Sequence, residues 1–237
     1  MTRDIYGEAL NDYYIHQKEV APLLLHSSYG DIEEMPVDIF FRDEDEIPEL
    51  EFIALSLCDG RVLDVGAGVG CHTLYLQDKN FDVEALEVSN IACQIMQQRG
   101  VQKIHHNDFY EFGEQKYDTL LFLMNGIGLA GDIEGFKKLL VHAESLLTDR
   151  GQLIFDTSNI EYLYEEYKIQ RPEHYFGEIN YQYQYQGDFG DKFKWLYLDQ
   201  KILIKIAHEL NWVVQILFED EHDQYLVRME KRKIQFD

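Results

Sequence analysis

Residues 61–71 read Arg61-Val62-Leu63-Asp64-Val65-Gly66-Ala67-Gly68-Val69-Gly70-Cys71. An apolar strand pattern runs into three glycines and then into a helical stretch, Val69 to Asp78. Glycines let a backbone turn sharply and let a ligand come to contact distance. A helix starting just beyond them offers unpaired N–H groups and a partial positive charge of about half a unit. This is the pattern of a cofactor loop. A dinucleotide loop carries Gly-x-Gly-x-x-Gly, whose third glycine allows the helix to pack close to a pyrophosphate. Counted from Gly66, that third position is Cys71. Asp64, two residues before the first glycine, would face a phosphate badly and a cationic amine well. No Gly-Lys-Ser/Thr follows, which excludes a nucleoside-triphosphate loop.

Outward from the loop, strand and helix signals alternate. Arg61–Val65, Phe81–Glu87, Val101–His106, Tyr117–Met124 and Gln152–Asp156 read as strands. Val69–Asp78, Ser89–Arg99 (capped by Ser89 or Asn90 and stopped at Gly100) and Asp132–Leu147 read as helices. Such alternation predicts a parallel sheet covered on both faces. Asp199–Asn211 reads as a further helix, and Trp212–Glu219 with Gln224–Arg232, joined by an acidic turn, as an antiparallel hairpin. In open α/β sheets the ligand crevice lies at the carboxyl ends of the strands. Glu87, Asp108 and Asn125 all follow strand ends there.

These residues resemble the class I S-adenosylmethionine-dependent methyltransferases. Asp64 to Gly70 matches the first motif of that family, and Glu87 stands where its ribose-binding acid stands. Asn107-Asp108-Phe109 follows the third strand, where the family places an acid near the adenine amine. The resemblance covers roughly residues 55–158 and 199–237. It implies an α/β fold with a Rossmann-like, seven-stranded, mostly parallel sheet ending in the antiparallel hairpin. Residues 1–58 are then an N-terminal helical cap, and 159–198 an aromatic, β-rich insertion in the 59–237 α/β domain. It also implies S-adenosyl-L-methionine as cofactor, bound by Asp64, Gly66, Ala67, Gly68, Gly70, Glu87, Val88, Asp108, Phe109 and Asn125. The general mechanism of the family is in-line displacement, in which positioning supplies most of the catalysis.

Composition narrows the acceptor. The 237 residues carry 44 Asp+Glu against 21 Lys+Arg, a net charge of −23, which repels phosphate backbones. The longest basic cluster, Lys231-Arg232-Lys233, reads as a strand end. Methyltransferases of exocyclic base amines carry Asn/Asp-Pro-Pro-Tyr after the fourth strand, where this chain has Met124-Asn125-Gly126-Ile127. Both features argue against nucleic acid as partner, and the expected acceptor is a small-molecule substrate. A protein methyltransferase and a non-catalytic S-adenosylmethionine-binding module are the alternatives. Three cysteines, Cys58, Cys71 and Cys93, show no metal spacing and read as free thiols. No run approaches 18 apolar residues, so the expectation is a cytoplasmic protein with no membrane contact and no metal.

Substrate choice in the family rests on segments outside the sheet. Asp4–Leu25 has helical spacing interrupted by Pro22. Asp31–Glu51 holds ten carboxylates and one base, Arg42, which is a salt-bridge centre or an anchor for a cofactor or substrate carboxylate. Residues 162–197 hold eight of the 16 tyrosines. Tyr181, Tyr183 and Tyr185 form one face of a strand, followed by a turn at Gly187–Asp191 and a second strand, Lys192–Leu198. That face either stacks on a substrate, packs a β-ribbon onto the sheet, or makes a homodimer contact. Catalytic candidates are Tyr14, His72 and Asn125; Tyr13 shares the lid reading with Tyr14, and His16 and His26 read as surface histidines.

Overall fold

The computed structural model describes residues 3–17, 20–30, 32–113, 115–166 and 169–232. Asp31, Tyr167 and Lys233, counted above, lie outside the described residues. Along the chain come α1 (Ile5–His16), β1 (Leu23–Ser27), β2 (Glu33–Met35), α2 (Glu49–Ser56), β3 (Arg61–Val65), α3 (Cys71–Asp78) and β4 (Asp82–Glu87). Next are α4 (Asn90–Arg99), β5 (Ile104–His106), β6 (Tyr117–Phe122), α5 (Ile133–Leu146), β7 (Leu147–Ser158) and α6 (Tyr162–Glu166). Last are β8 (Glu178–Tyr185), β9 (Asp188–Leu196), α7 (Gln200–Glu209), β10 (Trp212–Glu219) and β11 (Gln224–Lys231).

The seven-stranded sheet has the order β10-β11-β7-β6-β3-β4-β5. β3 lies between β4 and β6 in parallel register, with Asp64 opposite Ala85 and Leu121. β10 and β11 close the other side antiparallel, as the short acidic turn requires. The central strands are buried on both faces because helices cover both. α5 shows the periodicity that achieves this: Phe136, Leu139, Leu140, Ala143 and Leu146 are buried on one side. Each large apolar side chain so removed from water contributes about 1.5–3 kcal/mol. Ser89 caps α4 by accepting the Ala92 N–H at 3.0 Å, and Gly100 ends it with φ +96°.

The two segments outside that sheet meet in a second one, of order β2-β1-β8-β9. Here the structure departs from the sequence expectation of a helix from Asp4 to Leu25. α1 stops at His16, and Leu23–Ser27 is a strand paired antiparallel with β2 and with β8. The run Leu23-Leu24-Leu25 fits a strand as well as a helix, and pairing with β2 on one side and with β8, more than 150 residues away, on the other decided it. The β8–β9 turn is also tighter than expected. Gln186 and Gly187 alone make it, with φ +50° and +89°, and β9 starts at Asp188. Tyr181 and Tyr185 are buried, and Tyr183 stacks on Tyr6 with ring centroids 5.7 Å apart. The tyrosine face is therefore covered by the chain itself. β9 docks the second sheet on the carboxyl edge of the first. Leu196 O accepts from the Asn125 amide at 3.2 Å, and Lys194 reaches Asp132 at 3.0 Å.

Candidate active site

The glycine loop is stitched to the end of β4. The Gly66 and Ala67 N–H groups both donate to Leu86 O, at 2.9 and 3.2 Å. Gly66 and Gly68 have φ +71° and +56°, a region that costs other residues about 1–2 kcal/mol. A Cβ at Gly66 would meet nothing within 4 Å, so the loop borders open space there. A Cβ at Gly68 would lie 3.3 Å from the Tyr6 hydroxyl. Tyr6 is thus suspended over the loop, edge-on to Phe40 and stacked on Tyr183.

Tyr6 is held there by a clip at the start of α1. Asp4 caps that helix by accepting the Gly7 N–H at 2.8 Å, and its other oxygen accepts the Ser89 hydroxyl at 2.5 Å. Ser89 in turn caps α4. One residue pair therefore ties the N-terminal helix to the strand end that carries Glu87.

Glu87 is buried, and its carboxylate accepts three backbone N–H groups at 2.8 Å each. Val88 and Ser89 bind one oxygen, Gly68 the other. A carboxylate offers about four acceptor positions, so about one is left. Burial raises the Glu87 pKa against the pull of those three bonds. Val88 beside it is an exposed apolar side chain. Asp108 is exposed, and one oxygen accepts the Tyr110 N–H at 2.7 Å.

Two expected ligand-facing residues are engaged elsewhere. Asp64 is 2% exposed, and it accepts the Thr73 hydroxyl at 2.6 Å in the first turn of α3. There it satisfies a helix start, as an acid near unpaired N–H groups does; burial raises its pKa. The ring of Phe109 lies in the main core, 5.2 Å from Phe122 and 4.8 Å from His142, and serves packing.

His72 also has a partner. Its Nε2 lies 2.7 Å from Glu51, which Arg42 grips with Nη2 at 2.7 and 2.9 Å. Burial disfavours charge on both, but their hydrogen bond and mutual charge outweigh it, raising His72 and lowering Glu51. Arg42 also receives the Cys71 thiol on its carbonyl at 3.2 Å and approaches Met124 Sδ at 3.6 Å. Its Nε is buried without a partner. Arg42 therefore links the helix after the glycine loop to the end of β6 and leaves its buried Nε without an acceptor.

At that end, Met124 and Asn125 have φ +57° and +54° in succession. Left-handed backbone is strained for methionine, and such strain concentrates at functional sites. Asn125 N–H donates to Asp156 Oδ2 at 3.0 Å, and Gln224 reaches the same oxygen at 2.9 Å. Asn125 Oδ1 and Asp156 Oδ1 are buried and unpaired.

The comparisons with known proteins fit this arrangement. A solved S-adenosylmethionine-dependent methyltransferase from Bacteroides fragilis, in complex with S-adenosyl-L-homocysteine, is 33% identical to this chain. The match covers 97% of this chain and 95% of that one, with a TM-score of 0.88. The chain belongs to the class I S-adenosylmethionine-dependent methyltransferases. An uncharacterized methyltransferase from Staphylococcus carnosus is 28% identical over 123 residues, which are 51% of this chain and 56% of that protein. This methyltransferase thus spans about half the length of that curated relative. A methyltransferase structure from Clostridium acetobutylicum shares the fold at 12% identity and a TM-score of 0.56, over 77% of this chain and 88% of that one. No family model matches the chain.

In this methyltransferase the sequence-named Gly66, Ala67, Gly68, Gly70, Glu87, Val88 and Asn125 lie along the carboxyl ends of β3, β4 and β6. Tyr14, expected as a lid, instead stacks on Phe41 at 6.1 Å, and Tyr13 packs on the same ring at 4.9 Å. The aromatic over the loop is Tyr6. His26 pairs with Gln184 at 2.8 Å, away from the loop. Asp4, Tyr6, Glu51 and Asp156 were missed as site residues; only Asp156 carried a signal, a carboxylate near a strand's carboxyl end. Among the described residues no group of three or more His, Cys, Asp or Glu could hold a metal, and no helix is long and apolar enough to cross a membrane.

Proposed function

We propose that the chain is an enzyme that binds S-adenosyl-L-methionine along the carboxyl edge of the large sheet and methylates a small-molecule acceptor beneath the second sheet. The observation that carries this reading is the Tyr6 hydroxyl over Gly68, held by the Asp4–Ser89 clip. An aromatic cap at the loop suits an enclosed acceptor better than an open peptide groove. The residues present fit the cofactor. The free acceptor position of Glu87 takes a ribose hydroxyl, and the exposed Val88 covers the adenine with Asp108 near its amine. The open space at Gly66 admits the chain of the amino acid, and the unpaired Arg42 Nε donates to its carboxylate. Asp64 shapes the loop from behind through Thr73.

The cofactor supplies an activated sulfonium methyl group. What the chain adds is alignment and the exclusion of water, which in well-oriented cases lower a barrier by about 7–11 kcal/mol. The test is thermal melting with S-adenosylmethionine, S-adenosylhomocysteine and NAD. At a hundredfold excess over Kd, binding stabilises by about 2.7 kcal/mol, so both adenosyl ligands should raise Tm and NAD should not. No shift with either adenosyl ligand sinks the reading. Methylation of peptides in preference to small molecules would replace the small-molecule acceptor by a protein.

A further inference from the structure

Asn125 Oδ1 and Asp156 Oδ1 are buried hydrogen-bond acceptors without donors. Asp156 is 0% exposed and Asn125 8%. The chain treats another buried acid very differently. Glu84 accepts from Arg61, His105 and Tyr117, and these partners hold its carboxyl at about 2. Asp156 keeps one oxygen bare, and burial pushes its carboxyl up to about 6 against the hydrogen bonds of Gln224 and Asn125. Native chains rarely leave buried polar atoms unpaired, so an orphan asks for an absent partner. Here two orphans sit on residues that touch, since the Asn125 N–H donates to the other Asp156 oxygen at 3.0 Å.

Their place in the fold matters as much. Both lie at the carboxyl ends of β6 and β7, and Arg42 joins that edge to the glycine loop through Met124 and Cys71. Above them a chain of hydroxyls runs from Tyr197 to Tyr181 at 3.3 Å and to Tyr29 at 3.1 Å, and the Asp156 charge acts on Tyr197. Both bare atoms accept, so a ligand atom that serves the two together needs two hydrogens to give. An amine nitrogen or its ammonium has them. A hydroxyl has one, and a carboxylate or phosphate has none and meets a like charge.

Resting on the methyltransferase reading, we propose that Asn125 and Asp156 form the acceptor subsite for an amine-bearing small molecule, and that Asp156 takes the proton the methylated nitrogen releases. The nitrogen lone pair forms the bond to the methyl carbon while the carbon–sulfur bond breaks and its electron pair stays on sulfur. The nitrogen then bears a positive charge, and one N–H proton passes to the Asp156 carboxylate, which becomes neutral.

Calorimetry on the full chain loaded with S-adenosylhomocysteine tests this with benzylamine and benzyl alcohol, a pair that differs only at the donor atom. Benzylamine should bind at least about tenfold more tightly than the alcohol. Asp156→Asn, which puts an amide on the same framework, should lower benzylamine affinity at least about tenfold and leave that of S-adenosylhomocysteine within about twofold. Asn125→Ala, which removes the other bare acceptor, should weaken the amine in the same way. Labelled methyl transfer to benzylamine should fall about a hundredfold or more in Asp156→Asn. The proposal is overturned if benzylamine does not bind the loaded wild type, if the alcohol binds as well, or if Asp156→Asn binds the amine unchanged. In each of those cases S-adenosylhomocysteine still binds and the methyltransferase reading stands; a chain that binds no S-adenosylhomocysteine overturns both.

Discussion

Asp156→Asn should stabilise the fold at neutral pH, and its effect should vanish in acid. Burial raises the Asp156 carboxyl from 3.8 to about 6, with Gln224 and Asn125 opposing. A raised value means that the folded chain holds this proton more tightly than the unfolded chain does. Between about pH 4 and about pH 6 the unfolded chain has lost the proton and the folded one has not, so wild-type stability falls as pH rises across that window. Above it the penalty is constant. About two pH units at about 1.4 kcal/mol each amount to about 3 kcal/mol. Asparagine carries no charge, and its carbonyl oxygen can still accept from the Asn125 N–H and the Gln224 amide, so it escapes the penalty. At this chain length each kcal/mol moves Tm by about 2–4 °C, so the variant should melt about 6–12 °C above wild type at about pH 7.5. Paired melting curves of the two proteins across pH, followed by circular dichroism, measure the difference. A variant no more stable than wild type at neutral pH refutes the reasoning. So does an advantage that persists at about pH 4, because the carboxyl is then neutral in both states.

Three other perturbations probe the same edge. Glu51→Ala strands Arg42 and His72 as buried charges and should cost about 3–5 kcal/mol in urea unfolding. Because His72 is raised above 6.5, its share of that stability is complete below this pH and disappears as pH rises through the folded value, so the cost should shrink in alkali. Gly68→Val forces a branched side chain onto φ +56° and against Tyr6, and should lower S-adenosylhomocysteine affinity at least about tenfold by calorimetry. Glu87→Ala leaves the N–H groups of Gly68, Val88 and Ser89 without their acceptor. It should cost about 1–3 kcal/mol and weaken the same ligand, and unchanged affinity in both variants would put the cofactor elsewhere.

The main sheet was legible in the sequence because its signals are local. The strand Arg61–Val65 breaks into glycines, Ser89 and Gly100 bracket α4, and the acidic turn before Gln224 forces a hairpin; each acts within a few residues. The two outer segments were harder to read because each completes the other. Leu23–Ser27 is a strand because Glu33–Met35 lies on one side of it and Tyr181–Gln184 on the other. Asp64 and Glu87 were both recognisable as loop acids. Their roles diverged in three dimensions, Asp64 turning to Thr73 and Glu87 to the loop N–H groups.

The sequence by itself determined the parallel sheet, the glycine loop and the acid at the end of β4, since strand periodicity, positive φ and helix capping are written in neighbouring residues. Tertiary structure decided which aromatic covers the loop. Tyr6, Tyr13 and Tyr14 share one helix, and the Asp4–Ser89 clip together with the ring contacts to Phe40 and Tyr183 sets Tyr6 over Gly68. It also decided which polar atoms stay unpaired. Asp156 and Glu84 are both carboxylates in strands, and a donor's presence or absence depends on side chains brought from distant parts of the chain.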